Sequence, residues 1–138
     1  MAETGFNWGA YAAMQIGSSD WTADAVADNA TDTGDATSLD GKAACEVSLT
    51  LVEDNTGAID GVMTVFVLGD IDGTNFEETT LSGAWSFTIA PVQNDTVYKR
   101  FSIDPSAYGS FKLALFNESG QEIAATVKYR TATIPKAS

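Results

Sequence analysis

Apolar and polar residues alternate singly along most of this chain. In EVSLTLV, Val47, Leu49 and Leu51 fall on one side and Ser48 and Thr50 on the other; in WSFTIA, Trp85, Phe87 and Ile89 oppose Ser86 and Thr88. RFSID sets Phe101 and Ile103 against Arg100, Ser102 and Asp104, and FKLALFN and AATVKYRT continue the pattern. A period of two marks strands with one buried face, and it places Trp85, in phase with Phe87 and Ile89, in the core. Turn-rich stretches, EDNTG, GDIDG, LSG, DPSAYG and NESG, separate these runs at the spacing of a sandwich or barrel. The expected fold is all-β, an antiparallel β-sandwich of jelly-roll or immunoglobulin-like topology. Only GAYAAMQI suits a short helix, so residues 1–20 read as an N-terminal arm or helix and 21–138 as one sandwich domain.

One connection invites a detailed reading. LFNESGQEI has Glu118, Ser119 and Gly120 where a three-residue hairpin loop wants a glycine in the left-handed region. Pairing Asn117 with Gln121 sets Leu115 against Ile123, Leu113 against Ala125 and Phe111 against Val127. That register gathers Lys112, Phe116, Lys128 and Arg130 on the opposite face, three cations and an aromatic standing together outside a sheet.

Charge sharpens the picture. Nineteen acidic against seven basic residues give a formal net charge of -12, and apart from Lys42 every basic residue lies from Lys99 onward. Binding a phosphate backbone needs lysines and arginines to displace counterions, so nucleic acid is an unsuitable partner. The local basic stripe reads either as a solvated face or as a docking surface suited to the acidic surface of another copy or of a neighbour, a head-to-tail contact that builds rings and shells. Trp8 and Tyr11, in the apolar segment before the first clear strand, either fold back over the domain or reach onto a neighbouring subunit. The expected interface is therefore Trp8, Tyr11, Lys112, Phe116, Lys128 and Arg130.

Reactive chemistry has little support in the sequence. The chain has no histidine, and its single cysteine, Cys45, lies beside Glu46 in an apolar run that reads as buried. No phosphate-cradling glycine loop precedes a helix, and paired carboxylates are uninformative among so many acids. No catalytic or cofactor-binding residue is expected, and the protein reads as a non-enzyme. FVLGDIDGTNFEE, Phe66 to Glu78, resembles a calcium loop at first sight, but counting from Asp70 the glycine falls at the fourth position and the twelfth is Leu81. It reads as a turn built on Asp72 and Gly73, with a weak cation site at Asp70, Asp72 and Glu77, flanked by Asn75 and Glu78, as the alternative. The acidic tract ADNATDTGDATSLDGK reads as a surface excursion with a short strand near Thr37 to Leu39. The first residues lack a basic start and a long apolar run, so the expectation is a cytoplasmically made protein with no membrane span.

VFVLGDIDGTNFEE followed by YKRFSIDPSAYGSFKLALFNESGQEIAATVKYRTATI resembles small, acidic, all-β virion proteins of tailed bacteriophages, the capsid decoration or cement class. The resemblance covers the C-terminal two-thirds of the chain. It implies a protein made in the host cytoplasm that joins the virion, often as a trimer or dimer, binds the major capsid protein or other virion proteins, and stabilises the shell. It carries over no catalytic residue. A tail or fibre component is the nearest alternative, and a carbohydrate-binding β-sandwich, with stacking aromatics, is the alternative from another class.

Overall fold

The structure, a computed structural model, describes residues 5–53, 57–78 and 84–134. Its elements are all strands: β1 (Asn7–Trp8), β2 (Ala12–Ala13), β3 (Gln15–Ile16), β4 (Ser19–Asp20), β5 (Asp24–Val26), β6 (Thr31–Thr33), β7 (Thr37–Ser38), β8 (Ala44–Val52), β9 (Met63–Gly69), β10 (Trp85–Ile89), β11 (Thr96–Ile103), β12 (Ser110–Asn117) and β13 (Ile123–Thr133). The segment expected as a helix, Gly9 to Ile16, instead supplies β2 and β3. Backbone pairing to β13 outweighs its weak helical preference: Met14 donates its N–H to the Val127 carbonyl at 3.0 Å and Gly9 donates to Thr131 at 2.9 Å.

Every strand pair is antiparallel. The first sheet runs β1-β13-β8-β11, with β2 and β5 also on β13; the second runs β10-β9-β12-β6, with β7 also on β12; β3 and β4 form a small ribbon. β5, β2 and β1 line up along the free side of β13, opposite Ile123–Ala125, Lys128–Tyr129 and Ala132–Thr133 in turn. The N-terminal arm thus folds back onto its own domain as an interrupted strand. The acidic tract is more ordered than a surface excursion: β6 and β7 from it edge the second sheet along β12, and β7 covers most of the expected short strand.

The two sheets share one core. Val47, Leu49 and Leu51 of β8 and Ile123, Ala125 and Val127 of β13 join Val65 and Val67 of β9 and Phe111, Leu113 and Leu115 of β12. Cys45 is buried in the same cluster, and burial first, then the neighbouring Glu46 charge, pushes its thiol up to about 11.

The expected hairpin between FKLALFN and AATVKYR does not form. β12 pairs with β9, β6 and β7, whereas β13 pairs with β8 and the N-terminal strands, so residues 118–122 carry the chain from one sheet to the other. Gly120 does occupy the left-handed region, at φ 92°. The connection is held by Asn117, fully buried, whose side-chain amide donates to the carbonyls of Val26 at 2.9 Å and Gln121 at 2.7 Å and accepts from the Ser119 hydroxyl at 2.6 Å. The alternation that suggested a hairpin is equally that of two strands facing each other across a core. Burying one large apolar side chain contributes about 2 kcal/mol, which exceeds the preference of a turn, so burial decides where the strands go.

Candidate functional site

The outward side chains of β13, β8 and β11 form a grid whose rows follow from register. Lys128 lies opposite Ser48, which lies opposite Arg100; Arg130 lies opposite Glu46, which lies opposite Ser102; Thr126 lies opposite Thr50, which lies opposite Tyr98. The inward neighbours Cys45, Val47 and Leu49 are buried, which fixes these residues on the outer face. Glu46 takes both arginines: Arg130 Nη2 donates to Oε1 at 2.7 Å and Arg100 Nε lies 3.1 Å from Oε2.

The folded-back arm brings two rings to this point. The Arg130 guanidinium lies 4.4 Å from the Trp8 ring centroid and 5.0 Å from that of Tyr11, and Phe6 meets Trp8 edge-on at 6.0 Å. Trp8 reaches Arg130 because it pairs with Ala132, and Tyr11 because the next residue, Ala12, pairs with Tyr129. Both rings remain more than one-third exposed, at 36% and 38%. The result is an oriented cation held by a carboxylate and flanked by two rings, with Lys128 and Arg100 beside it. Such a face suits acidic or carbonyl-rich surfaces, because guanidinium groups and aromatic rings are the residues that anchor protein interfaces.

Of the six residues expected at an interface, the structure unites Trp8, Tyr11, Lys128 and Arg130 and separates Lys112 and Phe116. Those two project from the outer face of the second sheet, across the core, where Lys112 Nζ sits 4.7 Å from the Phe76 ring and Phe116 lies opposite Thr64 and Thr31. The stripe of three cations and an aromatic is thus corrected: its members belong to different sheets. Glu46, Arg100 and the strongly exposed Tyr98 complete the face instead. The alternation of RFSID set Arg100 opposite the apolar side, but only cross-strand register brings in Tyr98 and shows that β11 flanks β8 on the side away from β13.

Trp85 also departs from expectation. On β10, the last strand of its sheet among the described residues, it keeps phase with Phe87 and Ile89, yet it is 47% exposed while Ile89 is buried. Its ring packs on Phe87 at 5.2 Å and Phe101 at 6.0 Å, with interplanar angles of 50° and 44°.

GDIDG is a turn. Asp70 Oδ1 accepts from the N–H groups of Asp72 at 3.0 Å and Gly73 at 2.6 Å, and Asp72 Oδ1 accepts from Thr74 at 2.9 Å and Asn75 at 2.7 Å. The Asn75 side-chain amide, then the Asn75 and Thr74 N–H groups, hold the Asp72 carboxyl below its ordinary range. Glu77 Oε1 accepts from Gly69 N–H at 2.8 Å, so each of the three carboxylates considered for a cation is engaged by backbone donors. Among the described residues no group of three or more acidic or cysteine side chains is placed to hold a metal ion, and no helix is long and apolar enough to cross a membrane.

A further carboxyl pair links the sheets. Asp24 of β5 and Asp32 of β6 share a hydrogen bond, which together with burial and the Asp24 charge pushes the Asp32 carboxyl up to about 6. No protein-family model matches this chain, and no curated protein matches it in sequence.

Proposed function

We propose that this protein is a non-enzymatic structural component of a bacteriophage virion, a capsid decoration or cement protein whose two sheets form a β-sandwich. It is made in the host cytoplasm, docks on the major capsid protein or another virion protein, and acts as a homo-oligomer on the shell. The observation that carries this reading is the outer face of the first sheet. Three of seven basic residues, Arg100, Lys128 and Arg130, are concentrated there beside Trp8 and Tyr11 on a chain of net charge -12. A compact basic and aromatic face on an otherwise acidic body supports oriented attachment to an acidic partner. The sugar-binding alternative has less support, since Trp8 and Tyr11 flank an arginine and the Trp85, Phe87 and Phe101 rings are mutually tilted by 44° to 69°.

The test is co-sedimentation of the purified protein with undecorated cognate capsid shells, after its solution mass has been fixed by light scattering. Saturable attachment is expected, lost in Lys128→Glu/Arg100→Glu and in Trp8→Ala/Tyr11→Ala. A monomer that ignores shells removes the decoration reading and sends the protein to a glycan array.

A further inference from the structure

β11 closes the first sheet on the side away from β13, and among the described residues its only strand partner is β8. Its other edge offers a run of main-chain donors and acceptors over Thr96–Ile103. β10 ends the second sheet on the same side, because Trp85 and Phe87 meet Phe101 at 5.0–6.0 Å between ring centroids. Between the two edges a cleft of about 220 Å³ is lined by Val67, Trp85, Ser102, Ile103, Asp104 and Tyr108. Val67 and Ile103 are core residues, so the cleft reaches the hydrophobic interior, while Trp85 is half-exposed at its mouth. Pockets for drug-sized ligands run from about 300 to 1,000 Å³; this one suits a single side chain.

Charge selects what lies along that edge. Lys99 and Arg100 are adjacent at the middle of β11 and both exposed. Two copies pairing antiparallel through β11, centred on these residues, would set cations opposite cations, which disfavours a symmetric dimer here. We propose that the β11 edge and the adjoining cleft form a strand-addition site for an extended acidic segment of a partner protein. The segment extends the first sheet by main-chain hydrogen bonds, sets carboxylates beside Lys99 and Arg100, and places one apolar side chain in the cleft against Trp85 and Tyr108. Main-chain pairing supplies affinity and the pocket supplies specificity, as in other strand-addition complexes. This site shares Arg100 with the outer face of the first sheet, but the β11 edge, the cleft and Lys99 are observations of its own.

The experiment uses a labelled synthetic peptide with a central Phe flanked on each side by valines and by a pair of consecutive glutamates, which puts carboxylates on both faces of the added strand because Lys99 and Arg100 point to opposite faces of β11. It is titrated with the full chain and followed by fluorescence anisotropy. Saturable binding is expected, weakened about tenfold by Lys99→Glu and by a similar factor by Trp85→Ala, with Trp85→Phe retaining most of it. Urea unfolding of each variant checks that the domain remains folded. A peptide with proline in place of two valines, and one with lysine for each glutamate, are expected to bind weakly or not at all. No saturable binding overturns the proposal, as does equal binding of the proline peptide, because Lys99 would then act only as an edge guard or a diffuse charge. Peptide uptake by a protein that ignores shells leaves this site standing and removes the decoration reading; shell attachment without peptide uptake does the reverse.

Discussion

Replacing Glu46 by Gln tests whether the outer face is an organised unit or a set of independent surface charges. Glu46 and Arg130 are only 14% and 25% exposed at the side chain and meet at 2.7 Å, whereas Arg100 is 65% exposed and lies 3.1 Å from the same carboxylate. A charge-assisted hydrogen bond in the first setting contributes about 1.5–3 kcal/mol, and an exposed ion pair in the second about 0.2–1 kcal/mol. Glu46→Gln is thus expected to cost about 2 kcal/mol, nearly all of it from Arg130. With a urea m-value of about 2 kcal/mol/M, the unfolding midpoint falls by about 1 M. Double-mutant cycles separate the partners: Glu46→Gln with Arg130→Gln should give a coupling of about 1.5 kcal/mol or more, and Glu46→Gln with Arg100→Gln less than about 0.5 kcal/mol. Raising salt to about 1 M shortens the screening length to about 3 Å, which removes the Arg100 coupling and leaves most of the other. An Arg130 coupling no larger than that of Arg100 would refute the reasoning.

The remaining predictions concern the fold. Asp32 binds its proton more tightly in the folded protein than its ordinary value of 3.8 implies, so its contribution to stability is fully present below about pH 4 and is lost as pH rises through about 6. The shift sets a ceiling of about 3 kcal/mol, which solvent screening at this partly exposed pair reduces to about 1 kcal/mol; Asp32→Asn should flatten the urea midpoint between pH 4 and 7 and raise it at pH 7, and an unchanged slope refutes the shared proton. Gly61→Ala sets a methyl against the Glu118 carbonyl oxygen and 3.0 Å from its carbon, a backbone contact that cannot yield, and should cost about 3 kcal/mol in chemical unfolding. Cys45, buried and with its thiol pushed up to about 11, should react with a disulfide reagent at pH 8 only as fast as the domain opens, so rapid stoichiometric labelling of the folded protein would contradict its placement.

The sequence alone determined which side of β8, β12 and β13 faces inward. Phe111, Leu113 and Leu115, and Ile123, Ala125 and Val127, were legible as buried from their period of two, and they are buried. The all-β class, the turn at GDIDG and the buried cysteine followed from equally local rules: alternation, Asx turn chemistry, and an apolar run with no basic neighbour. Tertiary structure decided who stands beside whom. Alternation is the same for strands hydrogen-bonded side by side and for strands facing each other across a core, so it could not show that residues 118–122 cross between sheets, and it wrongly united Lys112 with Lys128 and Arg130. The outer face of the first sheet was legible only in part for the same reason. Trp8, Tyr11, Lys128 and Arg130 could be named as outward or unplaced, but the Glu46 carboxylate that orients Arg130, and the approach of β11 with Arg100 and Tyr98, depend on register between residues more than 40 positions apart. Trp85 shows the limit most simply, since periodicity gives the phase of a strand, whereas Trp85 and Ile89 share one phase on β10 and differ in exposure through what the tertiary structure sets against each.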